Sequence, residues 1–508
     1  MIKKKTSTLV HALKVRQWLS EWDEIKWSIE DRGAEPQHWF YQFSMQARDL
    51  KALSGIYPRT TQRQRGAADL GIQRRHEVSR SDEIFKFVKY GYPWSELSES
   101  KRKSGDFQDL RQPGWLPTAI VVNILTTTEK RLGKQVANNE LVKVNDLQDG
   151  RAEIHLPSGF TGSEWRHSSI PPVEVIDGQH RLWAFEDANL SGDFELPVVA
   201  FVGLDLRWQA YLFYTINIKP KKINASLAFD LYPLLRTQEW LTKFEGHVIY
   251  RETRAQELVD LLWSHPDSPW HHRINMLGEP GHKGKMVTQA AWVRSLLASL
   301  IKSWEGPKIG GLFGSVVGEH ETVLPWSRTE QAAFLIVAGK TVRDAISNIR
   351  KPWAKALRDH VSPNLFKGDD AAFYSPHSLL NQDQGIRILL QVLNDLVYVR
   401  ADDLALESWG GEQRDSDTDE NQVSKAVASL SKKSKIVHYM EQVAAGLADY
   451  DWRSSDAPGL PAADRTLKAS FRGSGGYKEL RRHTLKHLSD GKGDVSSAAK
   501  DVMQRLGY

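Results

Sequence analysis

The chain has 508 residues, with 68 Lys and Arg against 63 Asp and Glu, a formal net charge of +5. That length exceeds one compact core and predicts two or three domains, and so small a charge excess means that any polyanion must be met by a local patch, not by the whole surface. Cysteine is absent, which excludes disulfides, thiol nucleophiles and thiolate metal sites and leaves oxygen and nitrogen chemistry.

The start, MIKKKTSTLVHALKV, is basic but has no long apolar run before a small-residue cleavage site, and no stretch of 18 apolar residues occurs. A soluble cytoplasmic protein without a membrane partner is expected. Leu13, Trp18, Trp22 and Ile25 recur at roughly helical intervals, so residues 1–39 read as a helical segment. Next, WFYQF (39–43) reads as a strand feeding a helix capped by Ser44. Further strands are predicted at AIVVNIL (119–125), VEVI (173–176) and LPVVAFVGL (196–204). Strands alternating with amphipathic helices predict an α/β domain with a mixed sheet over 40–235. The signals over 236–405 are mostly helical, in QAAWVRSLLASLI, EQAAFLIVAGKTVRDAISNI and GIRILLQVLNDLVYV, and predict an α-rich domain. Residues 406–424 include GGEQRDSDTDENQ, a polar and acidic run without periodicity that reads as a linker or loop, and 425–508 read as a basic helical C-terminal segment.

One short stretch concentrates polar tips: IDGQHRLWAF at 176–185. Gly178 permits a tight turn after a strand, and a helix then runs through Leu182, Phe185 and Ala188 to a stop at Ser191-Gly192. The first N–H groups of such a helix, with the guanidinium of Arg181, suit a phosphate. Asp177 could hold a divalent cation or orient His180, and His180 could donate to phosphate or act in acid–base chemistry. The alternative is a helix capped by Asp177, with the other tips in solvent.

IDGQHRLWAF resembles the signature of the DGQHR-domain proteins, a branch of the ParB/sulfiredoxin-like superfamily that includes the DndB family associated with DNA phosphorothioate modification. The flanking segments FSMQARDLKAL, RSDEIFKFVKYG, LPTAIVVNIL and LPVVAFVGLDLRWQAYLFYTINIKPKKINASLAFDL follow in matching order, so the resemblance covers about 40–235. It implies a ParB/sulfiredoxin-like fold in which Gly178 and Arg181 grip a nucleotide's phosphates, and Asn217, with Lys221 and Lys222, completes the nucleotide and metal site. Gln179 stands where sulfiredoxin-like members carry a catalytic Cys, so that thiol chemistry is excluded. Gln179 and His180 also replace an acid and an Arg of ParB proteins, and Trp94–Gly114 reads as an insertion. Read on its own, TINIKPKK makes Asn217 a helix C-cap and its lysines a solvated surface.

Two basic stretches bear on DNA. Between 59 and 80 stand Arg59, Arg63, Arg65, Arg74, Arg75 and Arg80 against Asp69 and Glu77, enough to line a groove. In SFRGSGGYKELRRHTLKHL (470–488), after Arg472, Lys478, Arg482 and Lys486 recur every fourth residue with Arg481 nearby, while Tyr477, Leu480, Thr484 and Leu488 share another face. With the helix DVSSAAKDVMQRLGY this forms a pair suited to DNA backbone; an exposed basic face on an ordinary helical domain is the other reading.

The expectation is a DNA-associated, nucleotide-binding protein of a prokaryotic DNA-modification or phage-defence system that hydrolyses ATP or another NTP with Mg2+. Asp177, Gln179 and His180 are the catalytic candidates, Gly178, Arg181, Asn217, Lys221 and Lys222 the nucleotide ligands, and Asp177 and Asn217 the metal ligands. DNA-binding candidates are Arg74, Arg75, Arg80, Arg472, Lys478, Arg481, Arg482 and Lys486. Other proteins of the locus are expected partners, and homo-oligomerisation is left open. The alternative is a non-catalytic DNA-binding transcriptional regulator or scaffold. A nuclease finds no dense carboxylate cluster, and SPWHHRINM and GEHET lack a two-His zinc spacing.

Overall fold

A computed structural model describes residues 9–27, 34–57, 77–131, 133–186, 192–218, 224–235, 240–241, 243, 247–278, 287–302, 309–319, 321–360, 369–411 and 419–508. The chain divides into two units, Met1–Lys222 and Ile223–Tyr508.

The first unit is built on one mixed sheet. Its strands are β1 (Leu9–Arg16), β2 (Trp39–Gln46), β3 (Ser54–Gly55), β4 (Ile120–Ile124), β5 (Lys143–Asp146), β6 (Arg151–His155), β7 (Val173–Asp177) and β8 (Glu195–Val202). They lie in the order β3-β7-β4-β8-β2-β1-β6-β5. The β3–β7 and β4–β8 pairs are parallel, and the other pairs are antiparallel. The helices are α1 (Ala47–Leu53), α2 (Val78–Tyr90), α3 (Glu99–Ser104), α4 (Gln179–Trp183) and α5 (Leu206–Ile218). In β8 the alternating Leu196, Val198 and Ala200 enter the core, whereas Val173, Val175 and Ile176 of β7 are buried on both faces.

The three strands expected after position 119 are present, and the mixed sheet is the one predicted. The beginning differs. Residues 9–16, within the segment read as helical, form β1, which pairs with β2 on one side and β6 on the other; Trp22 closes a single 3-10 turn. Pairing on both sides overrides the helical spacing, since neither partner adjoins β1 in sequence. Ser44 does not cap α1. It lies within β2, and its hydroxyl donates to Glu195 at 2.7 Å, while the α1 N-cap is Gln46.

The second unit is helical. It contains α6 (Ala225–Asp230), α7 (Tyr232–Leu235), α8 (Val248–Ser264), α9 (Gln289–Leu297), α10 (Arg328–Asn348), α11 (Pro352–His360), α12 (Asp383–Tyr398), α13 (Glu420–Ser431), α14 (Ser434–Asp449), α15 (Ala462–Ala469), α16 (Gly473–Ser489) and α17 (Asp494–Leu506). One hydrophobic core runs from Ala255 to Val502, so the helices after the acidic run share it with those before. At the start of α10, Ser327 and Glu330 form a reciprocal capping box. Among the described residues, no helix is long and apolar enough to cross a membrane.

Candidate functional site

β7 delivers Asp177 to the edge of the core, and the chain reverses at once. Gly178 has φ 91° and ψ 14°, and a Cβ there would lie 2.8 Å from Ile120 Cδ1 and 3.1 Å from Arg181 Nη2. Only glycine meets both demands without strain. The Leu182 N–H then donates to Gly178 O at 3.0 Å, and the Leu182 side chain is fully buried. The helix expected to reach Ser191-Gly192 ends at Trp183: Phe185 N–H donates to Leu182 O at 3.2 Å in a tightened turn, and the Phe185 ring packs on Phe194, with centroids 5.0 Å apart. A five-residue helix aligns few peptide dipoles, so the field at its N-terminus is weaker than the sequence reading assumed.

Arg181 folds back onto the sheet instead of reaching forward. Its Nη1 donates to Thr118 O at 2.7 Å, to Thr118 Oγ1 at 2.5 Å and to Ala119 O at 3.2 Å, and its Nη2 donates to Asp177 Oδ2 at 2.8 Å. Asp177 Oδ1 accepts from Asn217 Nδ2 at 2.9 Å, and the same nitrogen donates to Phe213 O at 3.0 Å. Asp177 therefore ties β7, α4 and α5 together. Asn217 is not the predicted helix C-cap; it stands one residue inside the end of α5.

The second cation of the site comes from a segment distant in sequence. α2 packs on α4, with Ser81 Oγ donating to His180 O at 3.1 Å, and this sets Arg80, the residue before Ser81, near the turn. Burial pulls the Arg181 guanidinium below its usual range; Asp177 offsets part of that, and the charge of Arg80 adds to it. Arg80 is exposed and has no carboxylate within 4 Å among the described residues. Gln179 is 7% exposed, and its Oε1 has no hydrogen-bond partner among the described residues. Most buried amide oxygens in folded proteins have a partner, which sets this one apart from the rest of the turn. Gln179 Nε2 lies 3.4 Å from His180 Nε2.

Asp177 and Asn217 do meet, but as acceptor and donor of a hydrogen bond. Both Asp177 oxygens are hydrogen-bonded, one to a guanidinium, and among the described residues no group of three His, Asp or Glu could hold a metal. A protein-held Mg2+ does not fit this donor set; a divalent ion would have to arrive with phosphates. Lys219, Lys221 and Lys222 lie outside the described residues, as do Arg59, Arg63, Arg65, Arg74 and Arg75.

In the second unit, α16 and α17 form the expected pair, and Leu480, Thr484 and Leu488 are buried. Arg482 and Lys486 are exposed but answered within the helix: Arg482 Nη2 lies 2.6 Å from Glu479 Oε1, and Lys486 Nζ lies 2.8 Å from Asp490 Oδ1. Arg481, grouped with the stripe by sequence, instead turns inward onto Asp395, which is fully buried. Arg472 is exposed, 3.7 Å from Asp456.

Sequence reasoning missed a buried charged cluster beside the site. Arg131 donates through Nε to Glu174 Oε1 at 3.0 Å and through Nη2 to Glu174 Oε2 at 2.7 Å, and its Nη2 lies 3.4 Å from Glu129 Oε1. Asn123 Nδ2 donates to Glu129 at 3.2 Å, and Asn123 Oδ1 accepts from Leu204 N–H at 2.8 Å. The available signal was a Glu inside the apolar run of β7 and an Asn inside β4, since a polar residue in a doubly covered strand needs a partner. Thr118, which anchors Arg181, carried no such signal.

A model of the DndB family, described as DNA-sulfur modification-associated, matches residues 31–243. That span holds the whole Asp177–Arg181 turn with Arg80 and Asn217, and it covers less than half of the chain. The similarity points to a protein of a DNA-modification system. No curated protein and no solved structure matches the chain.

Proposed function

We propose that this is a DNA-associated protein of a DNA-modification or phage-defence system that binds a nucleoside triphosphate at the Asp177–Arg181 turn and hydrolyses it there. The observation that carries the reading is the packing of α2 on α4, which sets Arg80, next to Ser81, on the side of the turn that holds Arg181, so that its charge bears on Arg181. Two guanidinium charges at one site repel each other, and a multiply charged phosphate group relieves that repulsion while accepting from both. In this reading Arg80 supplies the free fork, and Arg181, with most of its donors engaged, supplies charge and a fixed wall. Gln179, whose buried Oε1 has no partner among the described residues, would have to turn outward to accept from the attacking water, which His180 helps to orient. A divalent cation would enter on the phosphates.

The second reading, a non-catalytic DNA-binding regulator or scaffold, is favoured by one observation: the Asp177–Arg181–Asn217 network is complete without a ligand. The experiment that separates the two is calorimetry with ATP and the other NTPs, with and without duplex DNA, followed by phosphate-release measurements. Binding with hydrolysis that falls on the order of 10²- to 10⁴-fold in His180→Ala, at unchanged affinity, supports the enzyme. Binding without phosphate release, or no binding at all, transfers the assignment to the regulator.

A further inference from the structure

A groove between α12 and α16, closed by the end of α17, takes in Lys478 at the N-terminal end of the α16 stripe together with cations of other helices. This hollow of about 400 Å3 is lined by Arg387, Tyr477, Lys478, Arg481, Arg505 and Tyr508 among others. Arg387 stacks on the Tyr477 ring, 4.7 Å from its centroid, and its Nη2 donates to Arg294 O at 3.2 Å, so that α9 adds a further Arg at the flank. Lys478 Nζ lies over the Tyr508 ring at 5.8 Å.

Counter-ions sort these groups. Arg481 pairs with Asp395 and Arg505 with Asp501, while Asp383 accepts from the Tyr477 hydroxyl at 3.0 Å. Arg294, Arg387 and Lys478 have no carboxylate within 4 Å among the described residues. Of the four cations that line the groove, Arg481 and Arg505 are thus paired and Arg387 and Lys478 are not, and this surplus is held on a rigid frame, because the Arg481–Asp395 and Tyr477–Asp383 contacts join α16 to α12. On the outer stripe, by contrast, Arg482 and Lys486 are matched one for one by Glu479 and Asp490.

We infer that this groove, and not the outer face of α16, is the surface of the second unit that takes the phosphate backbone of duplex DNA. A guanidinium stacked by its face on Tyr477 keeps in-plane donors for a phosphate, and with Nη2 on Arg294 O and Nε buried, the donor that Arg387 can offer is Nη1, which has no acceptor among the described residues. One cation lies over each tyrosine ring, Arg387 on Tyr477 and Lys478 on Tyr508, so the rings serve to hold charge at the groove. The inference rests on the DNA partner in the proposed function and is independent of the nucleotide site.

The test titrates the full chain with unrelated duplexes by fluorescence anisotropy across a series of salt concentrations. The groove variant Arg387→Gln/Lys478→Gln should flatten the plot of log K against log salt by about 1.8, at about 0.9 per lost contact, and the outer variant Arg482→Gln/Lys486→Gln should leave the slope unchanged. Lys478→Gln alone, at an exposed position, should lower the slope by about 0.9 and serves if the double variant melts early by circular dichroism. A groove variant with the wild-type slope, or an outer variant that loses as much, overturns the inference while leaving DNA binding standing. A wild type that binds no duplex removes the DNA partner altogether. If ATP displaces duplex from the wild type but not from the groove variant, the groove is a nucleotide site and the inference fails.

Discussion

Arg80→Ala separates ligand binding from folding at the Asp177–Arg181 turn, which Arg181→Ala cannot do. Arg80 is exposed on α2 and holds no ion pair among the described residues, so its removal should change stability by no more than about 0.5 kcal/mol. If it supplies a charged hydrogen bond to a phosphate, about 1.5–3 kcal/mol of binding is lost, a rise in Kd of roughly 10- to 150-fold. Arg181 differs because its side chain is 19% exposed and that of Asp177 is 14% exposed. Deleting it strips Asp177 of one of two partners and leaves the carbonyls of Thr118 and Ala119 without their donor. Breaking a buried pair from one side costs about 3–5 kcal/mol, and with partial exposure the expected loss is about 3 kcal/mol. Urea unfolding gives the stability of both variants, and calorimetry with ATP gives the affinity. The reasoning is refuted if Arg80→Ala binds ATP as tightly as the wild type, or if Arg181→Ala unfolds at the wild-type midpoint.

Arg131→Met should destabilise the first unit by about 3–5 kcal/mol in urea, because it leaves the Glu174 charge buried without its fork, and Arg131→Met/Glu174→Leu should recover most of that loss. Gly178→Ala forces a side chain into φ 91° and against Ile120, and thermal melts should show a cost of about 1–3 kcal/mol. Burial pushes the Asp451 carboxyl up, but hydrogen bonds from Arg453 and the charge of Lys468 hold it below the usual carboxylate range. Its stabilisation is therefore present above the unfolded value of about 4 and is lost as the pH falls through the lower folded value, so Asp451→Asn should flatten the acid limb of the stability curve below about pH 4.

Periodicity and chemistry made much of this molecule legible in the sequence. The apolar runs at 119–125, 173–176 and 196–204 become β4, β7 and β8, because β-branched residues between turn formers suit a doubly covered strand. The helices around QAAWVRSLLASLI, EQAAFLIVAGKTVRDAISNI and GIRILLQVLNDLVYV follow from apolar residues repeating each turn. The turn at Gly178 was visible too, since the reversal requires a positive φ that glycine tolerates.

Whatever depends on partners distant along the chain was decided only by the tertiary structure. Leu9–Arg16 is a strand because β2 and β6 offer it two ladders, which spacing within the segment cannot report. Arg181 looked like a free phosphate fork until Thr118 and Ala119 took its donors across the sheet. Arg80 was one arginine among six, and packing of α2 on α4 singles it out as the one whose charge bears on Arg181. In the second unit, i, i+4 spacing correctly aligned Lys478, Arg482 and Lys486, but nearby acids answer two of the three, while Arg387 and Arg294 come from other helices to join the first. A residue's spacing fixes the face it shares with its neighbours. Whether its charge remains available depends on which carboxylates and carbonyls the fold brings within a few ångströms.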